Sequence, residues 1–163
     1  MTRCRAQCAA MYELLVIAHS WFRWVVLVSG IIAFARAVAG RFERRSWSPA
    51  DDTASRLFVI SVDIQVLVGL VLYLFLSPYT MSAWRDIGGA MGDAVVRFWA
   101  VEHVVGMLAA TAFAHVGRVR IRKTTDATRK HFMAAMFFGL ALVLMLVSMA
   151  WPFTTVSRPL LRM

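Results

Sequence analysis

Polar residues in this chain come in clumps, and four long apolar stretches lie between them, at approximately 12–38, 57–76, 98–116 and 132–151. About 20 helical residues at 1.5 Å each cross the roughly 30 Å of hydrocarbon in a bilayer, so each stretch predicts a membrane-spanning helix. What remains is too short for a separate water-soluble domain. Short links between spans place sequence neighbours side by side, which predicts an all-α membrane protein: one domain over residues 1–163, an up-and-down bundle of four transmembrane helices.

The links carry their own signals. Gly40 to Ser55 holds Arg41-Phe42-Glu43-Arg44-Arg45 and then Ser48-Pro49-Ala50-Asp51-Asp52, a helix stop followed by an N-cap for the second span. The middle link opens with Ser77-Pro78 and carries Gly88, Gly89 and Gly92, which predicts an irregular, exposed segment. Gly69, Gly106, Gly139, Ala109 and Ala110 let helices approach closely. Trp84, Trp99 and Trp151 suit an aromatic belt at one membrane face.

Composition narrows the class. The chain is 60% hydrophobic, with a mean hydropathy of +0.66, well above a soluble domain. Its net charge of +9 does not point to nucleic acid, because the cations sit in links rather than on a basic helix or an aromatic-studded strand. Arg36, Arg41, Arg44, Arg45 and Arg56 flank the first link, and Arg118, Arg120, Arg122, Lys123, Arg129 and Lys130 fill the third. The middle link sets only Arg85 and Arg97 against Asp86 and Asp93. The positive-inside rule then puts the first and third links in the cytoplasm and both termini outside. Cys4 and Cys8 lie in a polar leader ahead of the first span, where a disulfide is open to them and metal or redox work is weakly signalled. Met11 begins a self-sufficient segment, so residues 1–10 read as a mis-called start.

The informative residues are those that lipid disfavours: His19 and Arg23 on the first span, Asp63 and Gln65 on the second, Glu102, His103 and His115 on the third, and His131 opening the fourth. Counting 1.5 Å per residue, His19 lies about 10 Å and His103 about 8 Å below the outer boundary, so the two are level. His115 and His131 fall near the inner boundary. Two neutral imidazoles from different helices at one depth can supply both axial ligands of a b-type haem. Arg97 or Arg85 outside, and Arg118 or Lys130 inside, are candidate propionate partners. His103 and His115 are twelve residues apart, about 120° around a helix, so they cannot share a face. An inner haem would therefore need the third and fourth helices while the outer one uses the first and third.

Bland readings stand beside these. His115 could hydrogen-bond Asp63, His131 could sit among headgroups, and His19 and His103 could be hydrogen-bonded core residues. Glu102 is level with Arg23 and could neutralise it. Gln65, Gly69 and Tyr73 recur at i, i+4 and i+8, a polar stripe able to hydrogen-bond a quinone or to join helices.

His19-Ser20-x-x-Arg23-Trp24, Asp63-x-Gln65-x-x-x-Gly69-x-x-x-Tyr73, Glu102-His103 and Arg129-Lys130-His131 together resemble small four-helix bacterial membrane proteins labelled cytochrome B, from Met11 to Trp151-Pro152. The resemblance implies a haem-binding electron carrier. The twelve-residue spacing departs from the same-face placement used when one helix ligates two haems. The expectation is a b-type haem electron-transfer subunit of a bacterial inner membrane, ligated by His19 and His103, exchanging electrons with quinone or other redox subunits. Two competitors stay open: a cofactor-free accessory subunit of a larger complex, and a small proton or metal-ion transporter using Asp63, Glu102 and the histidines, which would need a homo-oligomer. No phosphate loop, nucleophile elbow or zinc-protease helix is present.

Overall fold

The computed structural model describes residues 2–154 and 156, with side chains for all of these except 2–6 and 8. Any Cys4–Cys8 pairing lies outside the described side chains. The described residues form helices and no strand: α1 (Thr2–Phe42), α2 (Pro49–Val71) continued by a π-helical turn (Leu72–Leu76), α3 (Pro78–Arg85), α4 (Ile87–Gly92), α5 (Ala94–Arg97), a second π-helical turn (Phe98–Glu102), α6 (His103–Lys123) and α7 (Ala127–Val147). Four continuous helical stretches, 9–42, 49–76, 94–123 and 127–147, are long and apolar enough to cross a membrane. The chain is a multi-pass membrane protein.

α1 packs on α2 and α7, and α6 packs on the same two partners, so α1 and α6 face each other across the bundle diagonal. Each helix shows why. Trp21, Val25, Val28 and Ile32 on α1 recur at three- and four-residue spacing and are exposed, as do Leu57, Ile60, Ile64, Leu67 and Val71 on α2. Such stripes are the lipid-facing surface of a bundle whose opposite faces meet. The inward faces are small or closely fitted: Ala110, Ala114, Gly117 and Ile121 on α6 meet Ala134, Phe138, Ala141 and Met145 on α7. Phe58 of α2 and Phe138 of α7, both fully buried, cross edge to face at 5.3 Å at the centre of the core. Between membrane helices the hydrophobic effect is spent, so this close fit supplies the attraction.

The first three spans extend beyond their apolar stretches, because a helix end lying outside hydrocarbon tolerates charge; the fourth begins earlier than its stretch, at Ala127, and ends at Val147, short of Trp151. α6 carries Arg118, Arg120, Arg122 and Lys123 within its last two turns instead of in a link, where cations complement the negative end of the helix dipole. α2 starts at Pro49, with Ser48 as N-cap in a reciprocal capping box with Asp51. Asp51 also accepts from Arg36 (3.0 Å) and Arg45 (2.7 Å), and Asp52 accepts two bonds from Arg118 (2.6 and 3.0 Å). These bonds tie α1, the first link, α2 and α6 together at the basic end of the bundle.

The middle link departs from the irregular segment its composition predicts. It forms three short helices, because Ser77, Asp86 and Asp93 each N-cap the helix that follows, and the glycines fall inside or at the end of α4. Polar residues that read as loop formers are helix starters here.

Candidate functional site

Near the end of the bundle capped by these short helices lies a cavity of about 210 Å³ with largely apolar walls. His19 reaches it from α1 and His103 from α6, across the diagonal. Their ring centroids are 6.5 Å apart and their planes are inclined at 70°. The pair predicted from equal depth is therefore brought together.

The two rings are held differently. His103 Nδ1 lies 2.7 Å from the carbonyl oxygen of Ser148, just beyond α7. A carbonyl only accepts, so the bond needs the proton on Nδ1 and leaves Nε2 with its lone pair. The approach depends on Gly106, one turn along α6 from His103: a Cβ there would stand 2.7 Å from Ser148 Cβ, and nearer still to its Oγ. Phe98 and Trp99 flank the His103 ring at 5.9 and 5.3 Å, and Trp99 also stacks on Tyr79 of α3. Trp99 thus lines the cavity, whereas Trp84 is exposed.

His19 sits against Gly69 of α2, where a Cβ would come within 3.1 Å of its Cε1. Its Nδ1 is buried without a hydrogen-bond partner. The stripe Gln65, Gly69 and Tyr73 lines the cavity as its spacing predicts. Both polar members join helices: Gln65 Nε2 donates to the His19 carbonyl at 3.0 Å, and the Tyr73 hydroxyl donates to the Ala100 carbonyl at 2.9 Å. Tyr73 and Ala100 lie in the two π-helical turns, wide turns that redirect backbone carbonyls and recur at functional sites.

Other predicted residues go elsewhere. Glu102 does not neutralise Arg23; it pairs with Arg97 at 2.8 Å, because both belong to the same stretch of helix, five residues apart. Arg97 also donates to the Met91 carbonyl and does not line the cavity. Arg23 does line it, four residues along α1 from His19, with its guanidinium 5.5 Å from the Trp24 ring. His115 and His131 are drawn apart. His115 Nε2 bonds Asp63 at 2.6 Å, both side chains nearly half exposed, so the hydrogen-bonded reading holds. His131 is wholly buried and sits 4.9 Å from the Trp47 ring. A Cβ on Gly40 would come within 2.6 Å of either ring nitrogen. His131 is thus core rather than headgroup-facing, and no inner pair forms.

Sequence reasoning missed three contributors. Ser148 acts through its backbone, which no side-chain pattern signals. Gly106 reads only as generic packing. Thr80, buried on α3 and lining the cavity, was masked by the expectation of an exposed link, although Ser77-Pro78 is a helix-start signature.

Among the described residues no three His, Cys, Asp or Glu side chains gather as a metal-ion site. No protein-family model, curated protein or solved structure matches the chain.

Proposed function

We propose that the protein is a b-type haem electron-transfer protein of a bacterial inner membrane, with one haem held by His19 and His103 and both termini on the periplasmic side. The observation that carries this reading is the 6.5 Å between the two ring centroids. An imidazole nitrogen binds a metal at about 2.0–2.1 Å, so two rings this far apart would be within reach of one metal between them. The 70° between planes is compatible, since rotation about a metal–nitrogen bond leaves coordination intact. Two protein donors are what a tetrapyrrole requires, because the macrocycle would provide the other four.

The surroundings support the same reading. The Nδ1 bond from His103 to Ser148 fixes the ring and makes Nε2 the donor, as an outer partner does for a ligating histidine. Arg23 is the cavity cation suited to a propionate, in place of Arg97. At about 210 Å³ the cavity is below the about 300–1,000 Å³ of drug-sized pockets. Met107, Met145 and Met149 line it, and such unbranched chains are the wall that yields most easily. Haem, when bound, would supply one-electron transfer; the protein supplies ligands, a dry apolar setting and a counter-charge that set its potential. The transporter alternative is less favoured, because Asp63 and Glu102 are each engaged in exposed pairs away from the histidine pair.

The test is a reduced-minus-oxidised spectrum and a pyridine haemochrome assay on purified protein. Haem at one per chain is expected, lost in His19→Ala and in His103→Ala and kept in His115→Ala. Colourless protein, or full haem in either of the first two variants, overturns the reading.

A further inference from the structure

A second concavity, a groove of about 770 Å³, lies between the end of α6 and the start of α7 at the basic end of the bundle. It is independent of the haem reading. Arg120 and Lys123 on α6 and Arg129 on α7 line its outer part, and Val116, Val119 and Met133 line its inner part together with His115, which is paired with Asp63 of α2. Among the described residues the side chains of these three cations make no ion pair or side-chain hydrogen bond. One carboxylate lines the groove, Asp126, which caps α7 by accepting from the Arg129 backbone N–H at 2.7 Å.

The order of residues along the two walls matters more than the charge. α6 leaves the membrane and α7 enters it, so the helices run opposite ways through the boundary. On α6, Val116, Val119, Arg120 and Lys123 follow at helical spacing on one face, and Val116 lies about 10 Å along the axis from Lys123. On α7, Arg129 precedes Met133 by four residues, again on one face. Both walls therefore turn from cationic to apolar in the same direction, toward the bilayer interior, over the distance that separates a lipid phosphate from its acyl chains. Val116 and Val119 are 43% and 48% exposed and continue into the lipid-facing surface. A soluble anion would use only the outer half of such a groove, and a neutral lipid only the inner half.

We propose that this groove binds one anionic phospholipid, its phosphate held by Arg120, Lys123 and Arg129 and an acyl chain lying on Val116, Val119 and Met133. Basic pockets between membrane helices are suited to such headgroups.

The experiment is lipid retention by the full-length protein, purified in a neutral detergent, with phosphatidylglycerol or phosphatidylcholine added and adducts counted by native mass spectrometry. A preference of at least about tenfold for phosphatidylglycerol is expected, falling by about fivefold for each of Arg120→Gln, Lys123→Gln and Arg129→Gln. Val119→Trp, which fills the acyl part and keeps every cation, should lower retention severalfold; it also tests the site if the charge variants fail to fold. Equal retention of the two lipids, an unchanged preference in the charge variants, or the same loss in Arg41→Gln and Arg44→Gln controls overturns the proposal. Complete displacement by millimolar inorganic phosphate would make the groove a bare anion site and overturns it too.

Discussion

His103 on α6 is steered by the carbonyl of Ser148, a residue forty-five positions later, through a 2.7 Å bond from Nδ1. Because the acceptor is backbone, Ser148→Ala should change stability by no more than about 0.5 kcal/mol and leave the imidazole in place. Gly106→Val acts oppositely: its side chain occupies the space of Ser148 and forces the end of α7 away, at about 1–3 kcal/mol. Chemical unfolding in detergent followed by circular dichroism measures both. If the two variants behave alike, Gly106 is not what admits the Ser148 carbonyl.

Tyr73 joins the two π-helical turns through its hydroxyl bond to Ala100. Single side-chain hydrogen bonds between membrane helices average only about 0.6 kcal/mol. Tyr73→Phe keeps the ring and loses only that bond, so a decrease of this size is expected in the same unfolding assay. A loss several times larger would mean that the bond holds the wide turns in register rather than contributing locally.

What the sequence announces and what it hides divide along physical lines. Hydrocarbon thickness imposes a length on each apolar run, so the four spans could be read directly. Equal depth likewise aligned His19 with His103, because rise per residue is fixed. The ends were misjudged because Arg118 to Lys123 and Pro49 to Arg56 are charged yet helical, and helices do not stop where lipid stops. Partner choice was harder. Arg97 takes Glu102 from Arg23 because a neighbour on the same stretch of helix needs no tertiary arrangement to be close. The enclosure of His131 needs Gly40 from α1 and Trp47 from the first link, ninety-one and eighty-four positions earlier, and nothing in the local pattern around His131 points to either.

That enclosure is itself testable. Gly40→Ala places a methyl group where the His131 ring lies, and overpacking of this kind costs about 1–3 kcal/mol. His131→Ala removes the obstacle, so the double variant should be more stable than the sum of the two single losses predicts, by about 0.5–3 kcal/mol. A double-mutant cycle by reversible unfolding measures the coupling. Simple additivity would show that residue 40 and the ring at 131 do not compete for one space.

Two carboxylates on α2 should respond differently to removal. Asp51 has a side chain only 1% exposed and binds Arg36 and Arg45, besides accepting from the Ser48 backbone N–H and hydroxyl. Asp51→Ala strips a desolvated network of its anion, leaves two guanidinium groups facing one another and opens the capping box, so a loss of about 3–5 kcal/mol is expected. Asp63, 44% exposed and bonded to His115, loses one side-chain bond between membrane helices, a contact worth about 0.6 kcal/mol on average, and Asp63→Ala should cost about 1 kcal/mol or less. Ser48→Ala provides an intermediate value near 1 kcal/mol, the usual worth of an N-cap. Unfolding midpoints measured side by side give the ranking Asp51 above Ser48, with Asp63 no greater than Ser48. If Asp63 proves the costlier carboxylate, the tie from α2 to α6 through His115, and not the first-link network, is the stronger of the two on α2.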